Sequence, residues 1–295
     1  MLRSTGLLVG AGAMGGLAGC SSIPFVGGDT SWTNWLPEPG TFRNQDHYQT
    51  YYIEPQDIAE YEDELDDGYD LFEDFFSPPG ALDVDFDEVE GMVIAPTMRV
   101  FMGSFTVEDV VNELEDADFD EDDEYEGYTL FLGPEENFGS RAAAGVSDST
   151  LLYGSASEDG PIDGLETLID TSNGEEDRYM AESEDFATLV DELGGGHFLY
   201  AITHEETEID DPENGQFEHE VARGARIQFD AETSSRKWVR VFEEADDVDL
   251  GDVEDWVDEN DGSDEAFDDY DDISVSQSGR AAVVTGTIDT DDVFN

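Results

Sequence analysis

Met98-Arg99-Val100-Phe101-Met102-Gly103-Ser104-Phe105, running directly into Thr106-Val107-Glu108-Asp109-Val110-Val111-Asn112-Glu113-Leu114, changes its period half-way. The first eight residues read as a strand. After them Val107, Val110, Val111 and Leu114 fall at i, i+3, i+4 and i+7, which is one face of a helix. Strands are then predicted from Tyr128 to Leu132, Arg141 to Val146 and Ser149 to Ser155. Strand, helix and meander in that order, without strict alternation, indicate an α+β fold.

The same order returns further along. Lys237-Trp238-Val239-Arg240-Val241-Phe242 reads as a strand, Leu250, Val253, Trp256 and Val257 mark a helical face, and strands from Ile273 to Ser276 and Arg280 to Ile288 close the set around a Ser278-Gly279 turn. A helix is expected before each unit. In the second it is carried by Phe186, Leu189, Val190 and Leu193 and stopped by Gly194-Gly195-Gly196, ahead of a strand at His197 to Ile202. In the first, Ile58, Tyr61 and Leu65 do the same. Ile162, Leu165, Leu168 and Ile169 indicate a helix between the halves that ends at Asn173-Gly174, and residues 172–184 are the expected boundary. Two similar halves of antiparallel strands packed with helices, at 47–172 and 184–295, are the predicted architecture.

Working outward to the N-terminus, Leu17-Ala18-Gly19-Cys20 ends a short apolar stretch that follows a single basic residue, Arg3. A charged start, an apolar core of about 7–15 residues and small residues before a cleavage point make a secretory signal rather than a membrane span. Gly10-Ala11-Gly12-Ala13-Met14-Gly15 also spells G-x-G-x-x-G. That turn needs a helix opening at its third glycine, and Gly16, Gly19, Pro24, Gly27 and Gly28 break any such helix. Leu17, Ala18, Gly19 and Cys20 resemble the lipobox of bacterial and archaeal lipoproteins. The resemblance implies cleavage before Cys20, so that 1–19 is a signal peptide, and a thioether-linked lipid on the Cys20 sulfur. Residues 20–46, rich in Pro and Gly and nearly uncharged, then read as a lipid-anchored linker.

Composition sets the solvent. The chain has 77 Asp+Glu against 11 Lys+Arg, a formal net charge of −66, with 38% hydrophobic and 11% aromatic residues. Such self-repulsion opposes compaction, but near 1 M salt the Debye length falls to about 3 Å. The apolar content separates the chain from disordered acidic sequences. The balance resembles proteins of extremely halophilic archaea, and the layout resembles uncharacterised haloarchaeal lipoproteins. Nucleic acid is not an expected partner. The membrane is expected to be met through the lipid on Cys20, and any further partner is an envelope protein or ligand.

Chemistry is thin. Cys20 is the single cysteine, and no G-x-S-x-G elbow occurs. His204-Glu205-Glu206-Thr207-Glu208 has Glu208 where the zinc motif H-E-x-x-H needs its second histidine. The acidic runs from Asp118 to Glu126 and from Asp264 to Asp272 lack the glycine of a calcium loop and read as solvated surface. His47, His197, His204 and His219 are too scattered to nominate a base. No catalytic residue, metal site or cofactor is therefore expected. The reading is a lipid-anchored surface protein on the extracellular face of the cell membrane, with a non-catalytic binding or structural role at high salt. The alternative is an extracellular hydrolase using carboxylates or a bound cation.

Overall fold

A computed structural model describes residues 30–41, 46–65, 67–77, 82, 84–95, 98–135, 140–156, 160–262 and 266–294. The lipobox residues Leu17, Ala18, Gly19 and Cys20 lie outside them.

Among the described residues twelve strands form one antiparallel sheet: β1 (Gln49–Ile53), β2 (Val89–Ile94), β3 (Met98–Gly103), β4 (Asp120–Tyr125), β5 (Tyr128–Glu135), β6 (Arg141–Val146), β7 (Thr150–Ala156), β8 (Phe198–Thr203), β9 (Glu220–Gln228), β10 (Thr233–Phe242), β11 (Asp271–Ser278) and β12 (Ala281–Asp289). Their spatial order is β11-β12-β10-β9-β8-β1-β2-β3-β7-β6-β5-β4. With the helices α1 (Pro55–Ala59), α2 (Glu62–Leu65), α3 (Asp67–Phe76), α4 (Val107–Asp116), α5 (Pro161–Asn173), α6 (Tyr179–Glu182), α7 (Glu184–Leu193) and α8 (Leu250–Glu259), the fold is α+β. Outward from the β1–β8 junction, each side reads as one strand, a hairpin (β2–β3 or β9–β10), then the meander that follows a helix, docked through its last strand: β4 to β7 after α4, and β11 and β12 after α8. On the β1 side, β4 and β5 extend the edge further.

Alternation along each strand covers both faces with helices. On one face Leu165, Leu168 and Ile169 of α5 and Phe186, Leu189, Val190 and Leu193 of α7 meet Leu152, Leu199, Ala222, Val239 and Val283. On the other, Val110 and Leu114 of α4 pack with Phe101 and Phe131, while Val253, Trp256 and Val257 of α8 pack with Trp238, Ala282 and Val284. The core under α5 and α7 draws residues from both sides of the β1–β8 junction, so the sides share one interior. Among the described residues, no helix is long and apolar enough to cross a membrane.

Two expectations change. The stretch read as linker is part of the body from Thr30 to Thr41: Ser31–Trp35 is a 3₁₀ turn, Trp32 and Leu36 are buried, and Trp32 stacks on Tyr52 with centroids 5.4 Å apart. Burying an indole and a leucine outweighs the linker-like Pro and Gly around them. The expected boundary at 172–184 is likewise built in. Tyr179 of α6 stacks on Phe186 at 4.3 Å, and Arg178 donates to Thr171 O, Ser172 O and Asn34 Oδ1. The tight turn of the last hairpin is Gly279-Arg280, one residue later than expected, with Gly279 at φ 57°.

Candidate functional site

Cations are scarce in this chain, so their position is informative. Five of the 11 Lys+Arg, namely Arg223, Arg226, Arg236, Lys237 and Arg240, lie on the β9–β10 hairpin. In its register Arg226 sits directly opposite Lys237, and Arg223 opposite Arg240. Like charges facing across a ladder are destabilising, and each pair is compensated by a different device on a different face.

Beneath α7 the device is a helix terminus. Lys237 Nζ donates to Glu192 O at 2.6 Å and Arg226 Nη1 to Gly195 O at 2.5 Å, at the end of α7 where carbonyls lack intrahelical partners and the helix dipole is negative. Burial, and then the charge of Arg226, pull the Lys237 pKa down to about 8.

On the α8 face the device is a buried carboxylate. Glu220, 1% exposed, accepts from Arg240 Nη1 at 3.3 Å and pairs with His204 Nε2 at 3.0 Å; Arg223 Nη1 lies 3.9 Å away. The Arg240 guanidinium is 4.6 Å from the Trp256 ring centroid and 5.6 Å from that of Phe217, in cation–π range. Burial opposes protonation of His204, but its hydrogen bonds to Glu220 and to Glu205 O, with the Glu220 charge, outweigh burial and raise its pKa. Burial pulls the Arg240 pKa down, against the charge of Glu220. Desolvating such a pair is costly, and the aromatic rings and shared hydrogen bonds are what hold it in place.

Phe217 also forms one wall of a cavity of about 110 Å³, completed by Phe242, Asp210, Glu218, His219, Asp247, Asp249 and Asp252. Local backbone bonding positions its acids. Asp249 Oδ1 accepts Gly251 N–H at the start of α8, and Asp247 Oδ2 accepts Glu244 N–H. His219 takes a left-handed φ of 66° and pairs with Glu206 at 2.5 Å, a bond that raises its pKa. Burial, then the charges of Asp249, Asp210 and Asp255, hold the Asp252 carboxyl above its usual range. Five carboxylates beside two phenylalanines give this recess a negative potential. A second cavity, of about 390 Å³, lies between Val84, Glu88 and the start of α4 and carries Asp109, Asn112 and Glu113.

The structure brings Glu54, Asp57 and His197 within metal-binding distance of one another. The imidazole is nevertheless committed: Nδ1 accepts Phe229 N–H at 3.1 Å, and Gln228 reaches Nε2 at 2.7 Å. A neutral imidazole has one lone pair, and Phe229 uses it, so this set is mismatched to a metal. His204 finds its carboxylate in Glu220, 16 residues on, rather than in Glu208 of the H-E-x-x-E run. The Glu220–Arg240 cluster went unread in the sequence. Its one local signal is cations placed inside strand-like runs of an otherwise acidic chain.

No family model and no curated protein matches the chain. Solved structures do: crystal form I of TP0453 is 10% identical with a TM-score of 0.46, over 90% of this chain and 95% of that one. Crystal forms III and IV of TP0453 each match at 10% identity and a TM-score of 0.45, over 82% and 88% of this chain and 90% and 96% of theirs.

Proposed function

We propose that this chain is a lipid-anchored protein of the outer face of the cell membrane, with a non-catalytic binding or structural role in a high-salt environment. Leu17-Ala18-Gly19-Cys20 supplies the anchor, and its partner is an envelope protein or ligand rather than nucleic acid. The observation that carries the reading is the closeness of the body to that cysteine. Trp32 and Leu36 are 2% and 0% exposed, so about ten residues, at most about 35 Å of chain, separate Cys20 from the packed domain. A lipid there would hold the acidic body beside the bilayer, with its recess at Phe217 open to small cationic groups.

Cys20→Ser is the test. Fractionation of cells expressing the variant should find the protein in the medium, or unprocessed, where the wild type is membrane-bound. Membrane fractionation and cleavage identical to wild type would overturn the proposal.

One observation favours the hydrolase alternative: the raised Asp252 carboxyl sits among other carboxylates and two phenylalanines in a cavity, an arrangement suited to general acid chemistry. On the binding reading, hydrolase substrates at molar salt are not turned over. Turnover that is lost in a folded Asp252→Asn variant would reverse the assignment.

A further inference from the structure

We infer that β11 is a self-association edge, along which a second copy of this chain extends the sheet. Among the described residues β11 is terminal in the sheet, and it pairs with β12. The two-residue turn Gly279-Arg280 closes on the pair Ser278 and Ala281. In such a hairpin the closing pair is hydrogen-bonded and the pattern then alternates. The backbone groups of Ser274, Ser276 and Ser278 thus face β12, and those of Val275 and Gln277 face outward. An unpaired row of N–H and C=O groups is a template for another strand, and soluble proteins protect it with charge, proline or bulges.

The two edges of this sheet are treated differently. β4, at the far edge, presents Asp120-Glu121-Asp122-Asp123-Glu124, all exposed. β11 has Asp271, Asp272 and a register shift at its start, but Ile273-Ser274-Val275-Ser276-Gln277-Ser278-Gly279 carries no charge in a chain with 30% charged residues. Beyond its first two residues β11 therefore carries none of the charges that guard β4.

Charge identifies the occupant. When two copies of β11 pair antiparallel about Val275 or Ser276, the uncharged runs 273–279 lie against each other, and Asp271 and Asp272 of one copy fall opposite residues 278–281 of the other, whose charged residue, Arg280, is already engaged by Asp185 of its own chain. No carboxylate faces a carboxylate. A parallel pairing would set Asp271 against Asp271, and any self-pairing of β4 would oppose acids along its length. The antiparallel arrangement is two-fold symmetric and closed, and forms a dimer rather than a fibre. Two bodies of −66 repel at long range, so the contact belongs to molar salt.

Sedimentation velocity on the full chain tests this, with Cys20→Ser in every sample so that neither lipid nor an intermolecular disulfide joins copies. In salt above about 1 M, where the Debye length is about 3 Å or less, the mass should rise toward twice the monomer as protein approaches about 1 mM, the range of a weak contact. Val275→Pro removes an outward N–H, which edge strands tolerate, and should remain monomeric with wild-type circular dichroism. Ser274→Glu combined with Ser276→Glu places carboxylates on two exposed positions and opposes them across the contact; it should also remain monomeric, and it decides the matter should the proline variant misfold. A wild type that stays monomeric throughout, including one that accepts a strand from another protein instead, overturns the proposal. So does a folded double variant that dimerises as wild type does.

Discussion

Transfer from molar salt to about 0.1 M, where screening reaches only beyond roughly 10 Å, should abolish the cooperative thermal transition of this protein or lower its midpoint by more than about 10 °C. The cause lies in how its few cations are used. Arg240 is consumed by the buried Glu220, Arg226 and Lys237 by the end of α7, Arg178 by carbonyls and Asn34, and Arg280 by Asp185 and Phe242 O. These contacts hold the interior together and leave the exposed acids, such as those of β4, to repel one another. Net charge of −66 then opposes the compact state unless ions screen it. Circular dichroism melts across a salt series measure the effect. A neutral osmolyte at matched osmolality separates screening from excluded-solute stabilisation: it should not restore the transition. A midpoint unchanged over the series would refute the electrostatic account.

The α+β character was legible because several elements announce themselves locally. Val107, Val110 and Leu114 or Leu250, Val253 and Trp256 need no knowledge of their partners to read as helical faces. β9 was missed for a non-local reason. Within Glu220-Val221-Ala222-Arg223-Gly224-Ala225-Arg226-Ile227-Gln228, two arginines and a glycine hide the strand. Two of them belong there because of distant groups: Arg226 meets the end of α7, and a side chain at Gly224 would come within 2.4 Å of Tyr200 O and 3.0 Å of Leu193, while Arg223 lies 3.9 Å from Glu220, three residues before it. β4 was hidden by function of a different kind. An all-acid run reads as loop unless one knows that it guards a sheet edge. The Glu220, His204 and Arg240 constellation joins three separate segments, so no spacing rule could have assembled it.

Val253→Asp should cost about 3–5 kcal/mol, the range for an uncompensated buried charge, and that is a large part of the roughly 5–15 kcal/mol available to an ordinary domain. Val253 is 0% exposed beneath α8, in a cluster with Phe217, Trp238, Trp256 and Phe267. Nothing apolar there solvates a carboxylate, and the adjacent Asp252 and Glu254 add like charge. The new carboxyl would be held protonated, its folded pKa raised above the unfolded value of about 3.9. Stability relative to wild type should therefore be least affected below that value and fall as pH rises above it. Val110→Asp makes the contrast. Val110 is 3% exposed but lines the cavity of about 390 Å³ at the start of α4, where a short polar side chain can reach solvent, so its cost should be smaller and less dependent on pH. Denaturant melts of both variants at molar salt, from about pH 4 to pH 7, decide it. Equal costs at the two positions, or a Val253→Asp penalty independent of pH, would show that α8 does not seal its side of the sheet as described.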